Sequence, residues 1–156
     1  IDDRMPMSIS EDMGETWAYS PSPFLPIGGG QRLILLRLQE GPLVLASFTG
    51  GRKDQPEMEV TDVAGHKRSV TGLFTAVSLD EGQTWSNIRL VSHDGPDRQL
   101  ETTNGNPFTM SISTAEPGGY LAGCQSPDGL IHLISSKQHY TFNLAWLTTP
   151  PPAVEV

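Results

Sequence analysis

Apolar residues along this chain come in short bursts. MSIS (Met7 to Ser10), QRLILLRLQEGPLVLAS (Gln31 to Ser47), FTAVS (Phe74 to Ser78), WSNIRLVS (Trp85 to Ser92) and GYLAGCQSPDGLIHLIS (Gly119 to Ser135) run apolar or alternate for a few positions, then break at turn residues. Such runs are too short for helices of ordinary length and suit strands closed by tight turns. Sixteen Gly and thirteen Pro, spread rather than clustered, enforce the same reading. The expectation is an all-β chain of short antiparallel strands.

Two repeats order those strands. SEDMGETW (Ser10 to Trp17) returns as SLDEGQTW (Ser78 to Trp85), 68 residues later. Each copy follows a strand-like run and the second leads into another, so the octapeptide is the turn of a β-hairpin. Its Ser and Asp can aim side-chain oxygens at the N–H groups of the turn, and its Gly supplies a backbone conformation that a Cβ forbids. Its Trp covers the turn, a burial worth about 2 kcal/mol. A calcium loop built on Asp12, Glu15, Asp80 and Glu81 fails on the number of acidic positions and lacks the closing Glu of an EF-hand. No metal is expected. The second repeat has an offset of 88 residues, which sets Arg32 on Tyr120, Gly41 on Gly129, Leu45 on Leu133 and Ser47 on Ser135. A third octapeptide-like run, SSKQHYTF (Ser135 to Phe142), falls between a second and a third strand and is set aside.

Together the repeats predict blade-like units of four sequential antiparallel strands within residues 1–149. Residues 5–20 close one unit, 32–92 form a complete unit, and 119–147 supply the first three strands of a last one. Residues 93–118 read as a long polar loop, and 150–156 as a frayed, Pro-rich tail. Two strand edges would then be unpaired, so a second copy of the chain or a preceding portion is expected to cover them. Because the chain opens at Ile1 rather than Met, it is expected to be a processed product or a piece of something longer.

Charge narrows the partners. A net charge of −8 argues against nucleic acid. Cys124 is the only cysteine, which excludes an internal disulfide and a cysteine-rich metal site. No run approaches the ~20 apolar residues of a membrane span, so no membrane partner is expected. GGGQR (Gly28 to Arg32) precedes a strand rather than a helix and so does not read as a phosphate cradle. No cofactor is implied.

The octapeptide resembles the Asp box, or bacterial neuraminidase repeat, of the sialidase-like β-propellers. It matches at Ser10, Asp12, Gly14, Thr16 and Trp17, and again at Ser78, Asp80, Gly82, Thr84 and Trp85. The resemblance implies a partial β-propeller, about two to three four-stranded blades of a six-bladed ring. It implies the C-terminal part of a glycoside hydrolase acting on terminal, acidic sugars, exo-sialidase-like once the missing blades complete it. The alternative is a non-catalytic propeller that binds glycan or protein. Extracellular or periplasmic placement follows from the family alone.

Family sites lie on the face opposite the Asp boxes. Antiparallel order sends three segments there: Arg32 at the start of a first strand, Arg52 and Lys53 after a second strand, and Tyr120 at the start of the last unit. In sialidases the nucleophilic Tyr begins the first strand of the final blade, about seven residues before a Pro-Asp-Gly turn. Tyr120 precedes Pro127-Asp128-Gly129 by seven. A phenol needs a carboxylate to take its proton, for which Glu116 or Glu101 is available, and it suits an anionic substrate that would repel a carboxylate nucleophile. Arg32 and Arg52 would hold the substrate carboxylate, with His139 as a further binding candidate.

Departures from the family accompany these matches. Arg4-Met5-Pro6 imitates the family's Arg-Ile-Pro but sits before a third strand, Leu121 follows the Tyr where a small hydroxyl residue is usual, and the acid Asp and two of the three arginines have no match. Tyr120 also reads as a rim aromatic, and Arg32 and Arg52 as solvated charges. His132 is expected to face the core with Leu130 and Ile134.

Overall fold

The computed structural model describes residues 3–28, 31–49 and 57–154. A first hairpin pairs β1 (Pro6–Ile9) with β2 (Ala18–Pro21). The next sheet has four antiparallel strands, β3 (Ile34–Arg37), β4 (Leu43–Phe48), β7 (Leu73–Ser78) and β8 (Ser86–Leu90), in that order. Between its second and third strands a hairpin of β5 (Met58–Thr61) and β6 (Lys67–Val70) is inserted. The hairpin β9 (Arg98–Leu100) and β10 (Phe108–Met110) follows. A last sheet holds β11 (Ala122–Gln125), β12 (Ile131–Ile134) and β13 (His139–Phe142), and the short helix α1 (Leu144–Thr148) comes after it. The protein is all-β, built from several small antiparallel sheets, none of them closed.

Both octapeptides fold alike. Ser10 Oγ donates to Asp12 Oδ1 at 2.8 Å and accepts from the Gly14 amide at 2.7 Å; Ser78 does the same with Asp80 at 2.9 Å and Gly82 at 2.8 Å. Each Asp accepts from the amide of the Thr four residues on at 2.8 Å and from its hydroxyl at 2.5 Å. Each indole N–H donates to the Gly carbonyl, at 3.1 Å for Trp17 and 3.2 Å for Trp85. The pairs Met13-Gly14 and Glu81-Gly82 both take positive φ, so a residue with a Cβ and a glycine are left-handed in succession. The Thr16 hydroxyl and amide hold the Asp12 carboxyl down to about 2, and Thr84 lowers Asp80 in the same way. Both carboxyls therefore support the turns fully above their ordinary value of 3.8 and release them as pH falls toward the lowered one.

Sheets face one another through a close approach. On β11, a Cβ at Gly123 would lie 2.8 Å from Ile34 Cδ1 of β3, so glycine lets the first strands of neighbouring sheets meet. Above that contact the Arg32 amide donates to the Gly119 carbonyl at 3.1 Å; below it the Gln39 amide donates to Gln125 Oε1 at 2.7 Å. The opposite face of β3 and β4, with Leu33, Leu35 and Leu45, turns toward Met5, Phe24 and Trp85. Successive units thus stack face to face around a core that includes Val44, Phe48, Phe74, Val77, Ile131 and Leu133.

Four expectations are corrected. Residues 93–118 are not a plain loop: Phe108 and Met110 are buried on β10, and Asn104-Gly105 turns the hairpin with Gly105 at φ +74°. His132 does not face the core. In LIHLIS both alternations are apolar, and Ile131 and Leu133 take the buried side, leaving His132 with Ile134, which is 55% exposed. Trp17 remains 63% exposed, because its hairpin has only two strands, whereas Trp85 packs edge-on against Phe24 at 5.4 Å.

The last correction concerns the tail, which is strapped down as far as Pro152. The Pro151 carbonyl accepts from the Val63 amide at 2.8 Å, and Pro152 from Arg68 Nη1 at 3.3 Å. Arg89 completes the strap. Its side chain is 4% exposed, lies over the Trp146 ring at 3.7 Å, pairs with Asp94 and donates to the carbonyls of Trp146 and Thr149, both at 2.8 Å.

The two octapeptides should differ in what their tryptophans contribute. Trp85→Ala is expected to cost about 3 kcal/mol and Trp17→Ala under about 1 kcal/mol in urea unfolding, since only the first leaves a void against packed aromatics.

Candidate functional site

Register sorts the turns by end. Leu43 pairs with Ser78 and Arg37 with Leu43, so the β3–β4 turn and the second octapeptide share one end, where Arg37 meets Glu81. Phe48 pairs with Leu73, so Thr49, Gly72, Val91 and the residues before β3 lie at the other. The bond from the Arg32 amide to Gly119 brings Tyr120 to that same end. There the Arg32 guanidinium lies 5.3 Å from the centroid of the Tyr120 ring, a cation–π contact in which the phenol stays 54% exposed. The Tyr120 amide donates to Ser136 Oγ at 3.1 Å. Beside it Gln31 Oε1 accepts from the Gly28 amide at 2.9 Å.

Glu116 is set by a backbone device. Residues 113–116 run alongside 71–73, with Thr71 donating to Ser113, Ala115 to Thr71 and Leu73 to Glu116 at 2.7–3.0 Å. Gly72, at φ +113°, makes this approach: a Cβ there would lie 2.5 Å from the Ala115 carbonyl oxygen. The result buries Glu116 completely. Its Oε2 accepts from Ser135 Oγ and from the Tyr140 hydroxyl, each at 2.7 Å, while Oε1 finds no partner among the described residues. Burial raises the Glu116 carboxyl above its ordinary value, against the pull of Ser135, Tyr140 and Lys137. The Tyr140 phenol is raised as well, by burial first and then by the carboxylate beside it, so it keeps its proton.

The predicted residues therefore divide. Arg32 and Tyr120 come together. Glu116 hydrogen-bonds Tyr140 rather than Tyr120, although Gly119 lies between them: a Cβ on it would be 3.2 Å from Glu116 Oε1. Glu101 is exposed at the end of the β9 strand and engages Gln138 through its backbone carbonyl, at 2.5 Å. His139 stacks on His132 with ring centroids 5.4 Å apart and Nε2 3.2 Å from His132 Nδ1. Arg4 donates to the Pro23 carbonyl at 3.0 Å. Arg52 and Lys53 lie outside the described residues.

Tyr140, Ser135 and Ser136 escaped the sequence reading. HYTF carried the signal for the first, since its alternation sets Tyr140 and Phe142 on the core side; Ser135 is the repeat partner of Ser47. Among the described residues no three His, Cys, Asp or Glu side chains are grouped to hold a metal, and no helix is long and apolar enough to cross a membrane.

Comparison with family models, with curated proteins and with solved structures finds no match to this chain.

Two outcomes follow from this geometry. Because the folded state holds the Glu116 proton more tightly than the unfolded chain, this group makes stability fall as pH rises above its ordinary 4.5. Glu116→Gln should flatten that fall in urea titrations across pH. Gly72→Ala should lower stability by about 3 kcal/mol or more, read as a drop in Tm, since both its φ and the Ala115 backbone oppose a methyl group.

Proposed function

We propose that the chain is part of a sialidase-like β-propeller whose end opposite the Asp boxes holds a terminal acidic sugar at Arg32 and Tyr120. The observation that carries this reading is the exposed Arg32–Tyr120 pair at that end. A guanidinium offers a carboxylate two parallel hydrogen bonds, which a lysine cannot reproduce. In this reading the phenol beside it meets the sugar carbon next to that carboxylate. Two octapeptides that agree bond for bond support the propeller, with the four-stranded sheet as one blade, the β11–β13 sheet as most of another and the β1–β2 hairpin as the end of a third.

In the hydrolytic form of this reading, the Tyr120 oxygen attacks the anomeric carbon as its proton passes to a carboxylate, the glycosidic bond breaks and the aglycone leaves as its alcohol with a proton from solvent; water then adds to the same carbon, freeing the sugar and returning a proton to Tyr120. Glu116 is the nearest carboxyl in sequence, behind Gly119, with one oxygen unpartnered among the described residues. A second reading, binding without turnover, is favoured by the Tyr120 hydroxyl, which donates to no carboxylate among the described residues. The two separate on one assay. Hydrolysis predicts release of umbelliferone from an umbelliferyl sialoside, lost about 100-fold or more in Tyr120→Phe, with KM raised about 10-fold in Arg32→Ala. Binding predicts glycan-array signal without release, abolished by Arg32→Ala. If neither substitution changed rate or binding, the assignment of this site would fall.

A further inference from the structure

Two imidazoles meet on the last sheet. His132 on β12 and His139 on β13 lie on the face turned away from Leu133 and Tyr140, with His132 Nδ1 3.2 Å from His139 Nε2 and the ring planes 19° apart. The turn before β12 decides which nitrogen is bare. His132 Nε2 is 3.2 Å from Ser126 Oγ, a hydroxyl with a single proton to give. That proton has two acceptors within reach, Asp128 Oδ1 at 2.5 Å and the Leu130 carbonyl at 3.1 Å. The bond from Ser126 also holds the Asp128 carboxyl below its ordinary value, as an anion. With its proton spent, Ser126 Oγ accepts from His132 Nε2–H, and the neutral ring carries its lone pair on Nδ1. His139 is then the donor between the rings, and one proton joins them.

A metal ion fits where that proton lies. Zinc–nitrogen bonds of about 2.0–2.1 Å at a tetrahedral angle set two ligand nitrogens about 3.3–3.4 Å apart. The rings at 3.2 Å need to turn toward a common point but hardly to separate. A metal-bound histidine is oriented by what its other ring nitrogen donates to, and Ser126 backed by Asp128 fills that role for His132. Imidazole selects the ion as well: it suits zinc, nickel and copper, whereas calcium and magnesium take oxygen ligands. The net charge of −8 gathers cations around the chain.

We infer that His132 and His139 bind a divalent transition-metal ion of the zinc type through Nδ1 and Nε2, with Ser126 and Asp128 holding the first ring and water completing the coordination. No third His, Cys, Asp or Glu is grouped with them among the described residues, so the ion keeps open positions. Both ligands, and the residues that orient them, belong to one sheet and its turn, so the site depends on nothing that adjoins the sheet. It shares no residue with the Arg32–Tyr120 corner and stands whether or not that corner handles a sugar.

The test titrates zinc into the full chain after treatment with a chelator and follows the imidazole nitrogens by NMR. His132 Nδ1 and His139 Nε2 should shift together and saturate at one ion per chain, with His66 and His93 unmoved. His139→Gln should weaken zinc about tenfold or more, and Ser126→Ala about tenfold, by freeing His132 to exchange its tautomer. Unshifted Leu133 and Tyr140 amides show that the sheet is intact in each variant. Cys124→Ser, opposite His132 on β11, should leave the affinity unchanged. Loss of binding in Cys124→Ser would overturn the proposal by making the thiol the ligand, and unchanged affinity in His139→Gln would reduce it to a single surface imidazole. Calcium displacing zinc at equal concentration would overturn it too, and unchanged affinity in Ser126→Ala would remove the role given to Ser126 and Asp128.

Discussion

Sheets made of strands three to six residues long bury enough apolar surface only when they lie face against face. Here the spacing between faces is set where Gly123 meets Ile34. A side chain on β11 at that point would press on the flexible end of Ile34, between the Arg32–Gly119 and Gln39–Gln125 bonds above and below. The Arg32–Tyr120 corner depends on the same contact, because those two residues come from different sheets and meet only as closely as the sheets allow. Core packing and the candidate site thus share one junction between the sheets.

The octapeptides hold the opposite end by other means. Their side chains satisfy the turn's own backbone, so the turn is stiff before anything packs on it. That independence explains how one sequence serves in two surroundings: half-buried beside Phe24 in the second copy, open to water in the first. The tryptophan closes its turn in both cases through the indole N–H, and its apolar contribution depends on the neighbouring strands.

Much of the strand order was legible because it rests on local chemistry. Gly, Asp and Ser at fixed offsets mark turns whatever surrounds them, and both repeats could be aligned without any contact in space. What escaped was set by distant residues. Whether His132 or Leu133 faced inward could not be read from a run that is apolar in both phases; in the sheet Leu133 takes the buried side, paired with Gly123 and Tyr140 on the adjoining strands. Glu116 was read as a partner for Tyr120 because it lies in the loop that leads to it. Its burial comes instead from Gly72 drawing residues 113–116 beside β7, a pairing that local sequence does not encode. The β9–β10 hairpin was the opposite case, with its Asn104-Gly105 signal in plain view among polar neighbours.

The buried Arg89 has a consequence for the order in which the protein takes shape during synthesis. Its guanidinium leaves water only when Trp146 and the carbonyls of Trp146 and Thr149 arrive, nearly sixty residues later on the ribosome. Until then β8 carries a hydrated cation where the finished molecule has an aromatic lid, and the β5–β6 hairpin lacks the prolines that strap it. The central sheet can pair its strands early, but vectorial folding leaves its outer flank unsealed until α1 and the prolines after it dock.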